Sequence, residues 1–478
     1  MSHDEFNLAG AARQEMIERG FEPDFPPEAE RQLAAIHAAA DHSLRDLTSL
    51  PWSSIDNDDS RDLDQIEWAE RVAGGTRMLV GVADVDSAVA KGTPIDLHAA
   101  REGTTVYAGI RTFPMLPERL STDLTSLSEG EDRAAVVIEF VVAADGSLGV
   151  NRVYRAMVRN RAQLTYNAVG AWLEGSGAAP PKVAVSPDLQ AQLKLQDEAA
   201  QALREMRHRL GALTFDRLEA QPVIRDGKVQ DIAARGTNRA SQLIEDFMIA
   251  ANEVMARTLR GAGVSSIRRV VKEPERWPRI VELAAQHGVK LPEKPDSGAL
   301  NAFLARRKQA DAVHYADVSL AVLKLMGPGE YMLLRPSDPE QGHFGLAVQD
   351  YTHSTAPNRR FADLVTQRLL KALPAKPYGD EELDGIARNC TLKEDAARKV
   401  RRDMDKRMAA VALRSRVGQT FPAVVTGVTP KGVFVRALAP PVEGRLMHGE
   451  QGLDVGDRLH VRLLSTDPMR GFIDFGRA

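Results

Sequence analysis

The sequence predicts an α+β protein in three parts: a short helical N-terminal region, a large body with a mixed sheet and surrounding helices, and a small all-β module at the C-terminus. Three observations predict it. Apolar residues near the N-terminus recur at helical spacing. Between about 50 and 375, strand-like apolar runs alternate with helical patterns. Over the last 60 or so residues the pattern switches to short alternating strands with turns.

Residues 1–48 form the first part. Asp24-Phe25-Pro26-Pro27 reads as a helix start, since proline is tolerated in the first turn. Leu33, Ile36, Ala40, Leu44 and Leu47 follow at helical spacing. Two short helices suit either a helix-turn-helix or a flap on the next domain, and the flap is favoured. The second part spans 49–417. Met78 to Val85 and Ala134 to Val142 are runs of the kind buried in a sheet. Helical patterns follow at Leu189, Leu193, Leu203, Met206 and Leu210, and from Arg239 to Leu259. Gly175 to Pro181 reads as a surface loop. From 380 to 416 a charged helix carries Arg398, Lys399, Arg401, Arg402, Lys406, Arg407, Arg414 and Arg416. It suits an entrance for a polyanion or an ordinary solvated face. The third part, 418–478, holds alternating strands such as Val424 to Val428 and Gly432 to Val435.

Composition bounds the function. With 43% hydrophobic and 27% charged residues among 478, the chain is expected to be soluble. A net charge of −4 gives no global attraction to nucleic acid, so a polyanionic partner would need a local basic channel. The single Cys390 excludes an internal disulfide framework and a cysteine-based zinc cluster. Met1 to Asn7 lacks a signal-peptide layout, and the apolar stretch from Ala134 to Ala144 is broken by Glu139. A cytoplasmic protein without membrane association is the expectation.

The most informative segment is Ser54 to Gln65, with aspartates at 56, 58, 59, 62 and 64. In an extended backbone Asp62 and Asp64 share a face, and a turn through Asn57 to Ser60 can return Asp56 beside them. Three carboxylates held together repel one another unless something positive sits between them. A hard divalent cation, magnesium above all, is the natural occupant, and can activate water at a phosphodiester. The other reading is an acidic surface loop. A calcium loop fits poorly, since it wants glycine at its sixth position and glutamate at its twelfth.

Ile55-Asp56 followed by Arg61-Asp62-Leu63-Asp64 resembles the aspartate signature of the ribonuclease II/R (RNB) family of exoribonucleases. Pro114 to Ser121 is similar to its "PMLPxxLS" segment, and Leu243 to Met248 to its "LIEEFM" helix. Gly342 to Leu346 and Tyr351 to Phe361 resemble its "GHFGL…YTHxTSPIRRY". The four motifs are collinear over about 50–375. Gly418 to Ala478 resembles an S1-type OB-fold barrel, with Phe421, Phe434 and His448 as candidate contacts to a single strand. The two N-terminal cold-shock domains usual in the family do not fit in the roughly 50 residues before the aspartates.

The resemblance implies hydrolysis of single-stranded RNA from its 3′ end to nucleoside 5′-monophosphates, with one or two magnesium ions and manganese able to substitute. DNA is not expected as a substrate, and a monomer is favoured. Asp56, Asp62 and Asp64 match the metal-binding aspartates, with Asp62 and Asp64 catalytic and Asp64 the most sensitive to loss of charge. Gln65 departs from the pattern, which has a fourth aspartate there; its oxygen can touch a cation, but one negative charge is lost. Whether Asp58 or Asp59 compensates is left open. Arg359 matches the arginine that grips the scissile phosphate, a task suited to a planar cation with paired donors. Arg360 either assists it or pairs with Asp363. Tyr107 matches the tyrosine that sets product length, and Phe215 an aromatic that stacks on the terminal base. Glu245 matches a glutamate near the terminal ribose; its structural alternative is a pair with Arg239. A second family glutamate, aligned with Arg401, has no counterpart. His343 and His353 lie in no metal-ligand pattern and are read as structural. The competing readings are an RNA-binding protein that has lost catalysis through Gln65, and a DNA-directed regulator using an N-terminal helix-turn-helix.

Overall fold

The computed structural model describes residues 6–37, 41, 43–215, 219–225, 227–311, 315–339 and 341–478. Helices α1 (Leu8–Glu18) and α2 (Pro27–Ala35) lead into strands β1 (Arg45–Asp46), β2 (Trp52–Asp56), β3 (Gln65–Val72) and β4 (Gly75–Ala83). Then come α3 (Pro94–Glu102), a small hairpin of β5 (Val106–Tyr107) and β6 (Thr112–Phe113), and the long strands β7 (Asp132–Val142) and β8 (Leu148–Thr165). Helices α4 (Tyr166–Leu173), α5 (Pro181–Ala184) and α6 (Pro187–Arg209) precede a hairpin of β9 (Glu219–Arg225) and β10 (Lys228–Arg235), followed by α7 (Arg239–Gly261). β11 (Ser266–Val270), α8 (Trp277–Gln286), α9 (Ser297–Ala310), α10 (Tyr315–Met326) and β12 (Glu330–Leu334) come before α11 (Phe361–Lys371) and the 34-residue α12 (Asp380–Leu413). The chain ends in β13 (Thr420–Thr429), β14 (Gly432–Ala437), β15 (Glu443–His448), β16 (Arg458–Asp467) and β17 (Phe472–Arg477), which close a barrel.

The main sheet is mixed. β8 runs parallel to β1 and β2 and antiparallel to β7, while β2–β3, β3–β4 and β4–β7 are antiparallel. These pairings link β2, β3, β4, β7 and β8 into a closed circuit. Met78, Leu79, Val80 and Val82 of β4 are all fully buried, so both faces of that strand are covered, and this is why it reads as a continuous apolar run. The run stops at Ala83. Asp84 then caps a short 3₁₀ turn from Val85 to Ser87. Helix α7 starts at a reciprocal cap in which Asn238 and Ser241 exchange side-chain bonds to each other's backbone N–H. It lies on the sheet beside α6, whose Gln192 bonds both backbone groups of Ala69 at 2.8 and 2.7 Å.

The N-terminal pattern departs from its reading. Helix α2 ends at Ala35, with Ile36 extended, and Arg45–Asp46 form a strand on β8, where the N–H of Leu47 reaches Met157 O at 2.9 Å. Ladder bonding to β8 thus overrides the helical period. Ala40 lies outside the described residues. Helices α1 and α2 dock separately, α1 on α12 and α2 on α3, so they make no helix-turn-helix unit. Buried Glu15 of α1 ties Arg19 and Arg407, and Arg19 also reaches Asp403. The packing of α1 belongs to a core that also takes in the β5–β6 hairpin, the β9–β10 hairpin, α12 and the barrel. Among the described residues, no helix is long and apolar enough to cross a membrane.

Candidate active site

β2 ends on Asp56 and β3 begins on Gln65, so the aspartate segment is the loop between two paired strands. Its turn is closed by the Ser60 N–H on Asn57 O at 3.2 Å, and Asp56 Oδ1 accepts the Asn57 N–H at 2.8 Å. The second half of the loop is held from outside. Ser126 Oγ accepts the Leu63 N–H at 3.1 Å and donates to Arg61 O at 2.8 Å, while the Leu127 N–H reaches Leu63 O at 2.9 Å.

Asp64 is 1% exposed and faces the segment Ala356 to Arg360. Its Oδ1 accepts the backbone N–H of Asn358 at 3.2 Å, and its Oδ2 lies 3.2 Å from Arg359 Nε. That oxygen is fully buried and accepts no hydrogen bond. Burial pushes the Asp64 carboxyl up to about 7, against the pull of Arg359 and with Asp62 adding to the rise. Asp56 is raised by burial too, opposed by the Asn57 N–H and Arg359. For Arg359 burial works against the charge, but Asp64, Tyr107, Asp56 and Asp62 together raise its pKa. Tyr107 approaches Asp62 Oδ2 at 3.4 Å, and burial lifts its hydroxyl to about 12.

The β5–β6 hairpin that carries Tyr107 is bolted on both sides. The Thr105 N–H reaches Arg359 O at 2.9 Å and the Phe361 N–H reaches Gly103 O at 2.9 Å, which locks hairpin and arginine loop together. Gly109, at φ +77°, sits against α12: a Cβ there would lie 2.2 Å from Met408 Cε.

Asp56, Asp62, Asp64, Arg359 and Tyr107 therefore converge. Gln65 follows Asp64 at the start of β3 and is buried at 4% exposure, but brings no charge; the remaining candidates fall elsewhere. Asp58 is exposed and held by Asn167 at 2.6 Å, and Asp59 is exposed, so both lie outside the buried part of the cluster. Arg360 is bidentate on fully buried Asp363 at 2.8 and 2.7 Å, the structural of its two readings. Phe215 packs on the apolar cluster of α8, α9 and α10. Glu245 is exposed on α7, and Arg239 is bidentate on Asp197, so the pair with Glu245 does not form. His343 and His353 are structural: His343 caps the turn at Leu346, and His353 Nδ1 meets Tyr331 Oη at 2.7 Å. Burial depresses both imidazoles, that of His343 to about 4. On α12, Arg398 pairs with Glu394 and Asp395, Arg401 with Asp405 and Arg407 with Glu15, so much of the basic helix is balanced locally. In the barrel Phe421 is core, edge-on to Phe475; Phe434 is half-buried opposite Arg445; His448 is exposed.

Three features escaped the sequence reading. Thr125 and Ser126 lie just past the Pro114–Ser121 motif, and Asn358 lies inside the last one. Glu67 is fully buried two residues beyond Gln65, with both carboxylate oxygens lacking hydrogen bonds. Its signal was a charge at an in-facing position of an apolar strand.

Whether these groups suit a divalent cation rests on donor chemistry. Hard oxygens from three aspartates and one amide, with Asp64 Oδ2 buried and unbonded, are what magnesium takes. Among the described residues no three histidine, cysteine or carboxylate groups make a ready cage, and Arg359 is the counter-charge present.

The chain matches the RNB domain model over residues 44–376 and the RNase II-type exonuclease C-terminal S1 domain model over 419–478. Ribonuclease R of Escherichia coli is 30% identical over 500 residues, covering 94% of this chain and 60% of that protein. Ribonuclease R of Thermotoga maritima is 30% identical, covering 95% and 68%. Ribonuclease R 1 of Lactococcus lactis is 29% identical, covering 88% and 55%, so the chain spans little more than half the length of some relatives. In fold it is similar to Mycoplasma genitalium RNase R in complex with ribose methylated single-stranded RNA, at TM-score 0.89 and 21% identity over 99% of this chain and 78% of that one. It is also similar to yeast Ssd1, a pseudonuclease, at TM-score 0.66 and 18% identity over 92% and 56%.

Proposed function

Since the chain belongs to the RNB family, we propose that it is a hydrolytic 3′→5′ exoribonuclease that shortens single-stranded RNA and releases nucleoside 5′-monophosphates. The observation that carries this reading is the convergence of Arg359 on Asp64, flanked by Asp62, Asp56 and Tyr107. A guanidinium gripped by a buried carboxylate keeps its charge at any working pH and still offers its outer N–H donors to a phosphate. Arg359 thus holds the scissile phosphate, and Tyr107 limits how far the 3′ end enters. Asp56, Asp62, Asp64 and the Gln65 oxygen would hold magnesium, one ion or two, or manganese in its place. Bound there, the metal would supply an activated water and neutralise developing charge. Phe434, beside Arg445 and Arg436 on the barrel, suits stacking on a base irrespective of its identity. The site is complete within one chain, so a monomer suffices.

The second reading, an RNA-binding protein without catalysis, rests on Gln65 and on the exposed positions of Asp58 and Asp59. One assay separates them: 5′-labelled RNA and DNA oligomers incubated with and without magnesium. A magnesium-dependent RNA ladder ending in a short product is expected, with DNA left intact. RNA binding without shortening at any magnesium concentration would favour the second reading.

A further inference from the structure

The carboxylate of Asp64 is gripped by two adjacent residues, the backbone N–H of Asn358 on Oδ1 and the guanidinium of Arg359 on Oδ2. Whatever fixes residue 358 therefore fixes both the acid and the arginine. Its side chain is 1% exposed and meets Thr125 Oγ1 at 2.7 Å. Thr125 Oγ1 donates to Asn358 Oδ1, while Leu120 O, 2.9 Å from the same hydroxyl, already accepts the Thr125 N–H at 3.0 Å. The hydroxyl has one proton, and the shorter contact to the amide takes it. Asn358 Nδ2 is then a buried group without a partner.

Thr125 is continuous with the segment that holds the aspartate loop, since Ser126 and Leu127 bond Leu63. The contacts close a ring: Asp64 to Asn358, Asn358 to Thr125, Thr125 through Ser126 to Leu63, and Leu63 covalently back to Asp64. Three segments more than 50 residues apart in sequence are pinned at one point. Each buried polar contact in the ring is costly to break.

We propose that Asn358 and Thr125 are positioning residues for RNA hydrolysis, setting the distance between Asp64 and Arg359 by the amide-to-hydroxyl clamp. This rests on the exoribonuclease reading above. Both side chains are buried, so their loss moves the chemical step and leaves the grip on a long strand, to which the barrel contributes.

The test uses the full chain and the variants Asn358→Leu, Thr125→Val, Thr125→Ser and the double Asn358→Leu/Thr125→Val. Single-turnover rates on labelled RNA are compared with RNA affinity in chelator. The expected result is a rate at least tenfold lower in Asn358→Leu and Thr125→Val, with RNA affinity within twofold of the parent. The double variant should be no slower than the worse single, and Thr125→Ser, which keeps the hydroxyl, should retain the parent rate within twofold. Rate and RNA affinity falling together, additive losses, or a near-parental Asn358→Leu would overturn the proposal. If Asn358→Leu fails to fold, Thr125→Val and Thr125→Ser decide it. Adenosine monophosphate binding, measured by calorimetry, reads the Arg359 position without turnover and should weaken at least fivefold in both single variants. A parent that degrades no RNA would sink the activity reading, while the nucleotide affinities would still decide the clamp.

Discussion

Two buried groups of aspartates adjoin one another, where the Ala83 N–H bonds Asp64 O at 2.9 Å, and are treated in opposite ways. Asp84, 3% exposed, accepts from Arg155 Nε at 2.7 Å, Lys371 Nζ at 2.7 Å and the Ser87 N–H at 3.3 Å. Lys371 also reaches Asp86, and Arg368 spans Asp86, Asp96, Tyr378 Oη and Val89 O, all within 2.8 Å. Every acid there has its cation, and the network clamps α11 onto the β4 side of the sheet. Asp64 is buried as deeply and has one backbone donor, one arginine at 3.2 Å and an oxygen with no hydrogen bond. The difference teaches where the fold spends polarity on itself and where it keeps polarity for something else. A saturated network stabilises; an unsaturated one is poised to take a cation and a phosphate.

The hardest test of that contrast is Asp64→Asn. Its rate on RNA should fall about a thousandfold, within the span of losing a catalytic group. Its stability in chelator should rise. The folded pKa, about 7, lies above the unfolded value. The native state therefore binds the extra proton between about pH 4 and 7, and stability is lost as pH climbs through that window. The asparagine has no such loss, so its melting temperature should exceed the parent's at pH 8 and match it near pH 4. Identical pH profiles for the two proteins would break the comparison from the functional side.

Asp84→Ala attacks it from the structural side. Removing one acid from the saturated network should cost about 3 kcal/mol, the low end for a broken buried pair because Lys371 keeps Asp86. Turnover per folded molecule should stay within about twofold. Urea titration followed by active-site counting gives both numbers, and a variant that is stable but slow would show that the two clusters are not separate in purpose.

Much of the active half was legible in sequence, because Asp56, Asp62, Asp64 and Arg359 sit in short collinear motifs whose residue types dictate their chemistry. The clamp was not. Thr125, Ser126 and Asn358 are ordinary polar residues whose meaning lies in contacts across long sequence separations, and side-chain hydrogen bonding leaves no periodic trace. The network around Asp84 was hidden for the same reason. Leu33 to Leu47 misled differently: a helical period was present, but main-chain pairing of Arg45 and Asp46 with β8 outweighed it. In the barrel, alternation could not tell the inward Phe421 from the outward Phe434 without the register.

Glu67 is an intermediate case that sharpens the contrast. It is as buried as Asp84 and has no partner, yet it belongs to no motif. Burial, with Asp56 nearby, raises its carboxyl well above the ordinary value. The sign is that of Asp64: stability is greatest below the unfolded pKa and is lost as pH rises. Glu67→Gln should therefore raise the melting temperature at pH 8 and change it little at pH 4. If its rate on RNA also fell tenfold, Glu67 would join the functional cluster as the acid that Gln65 lacks.

The smallest effect is expected in the barrel, where the same division appears in aromatic form. Phe421 is 5% exposed, edge-on to Phe475 and part of the core, so Phe421→Ala should lower the melting temperature. Phe434 is half-buried on the outer face, across from Arg445. Phe434→Ala should leave the melting temperature within a few degrees and weaken RNA binding by about 1 kcal/mol, the lower end for one base stacked on one ring. The loss should be similar for oligomers of different sequence, since every base presents a π face. It should also be larger for strands long enough to reach from the barrel to Arg359 than for short ones. An equal loss on a strand too short to span that distance would mean that Phe434 acts on the catalytic body through the fold, and not on the RNA.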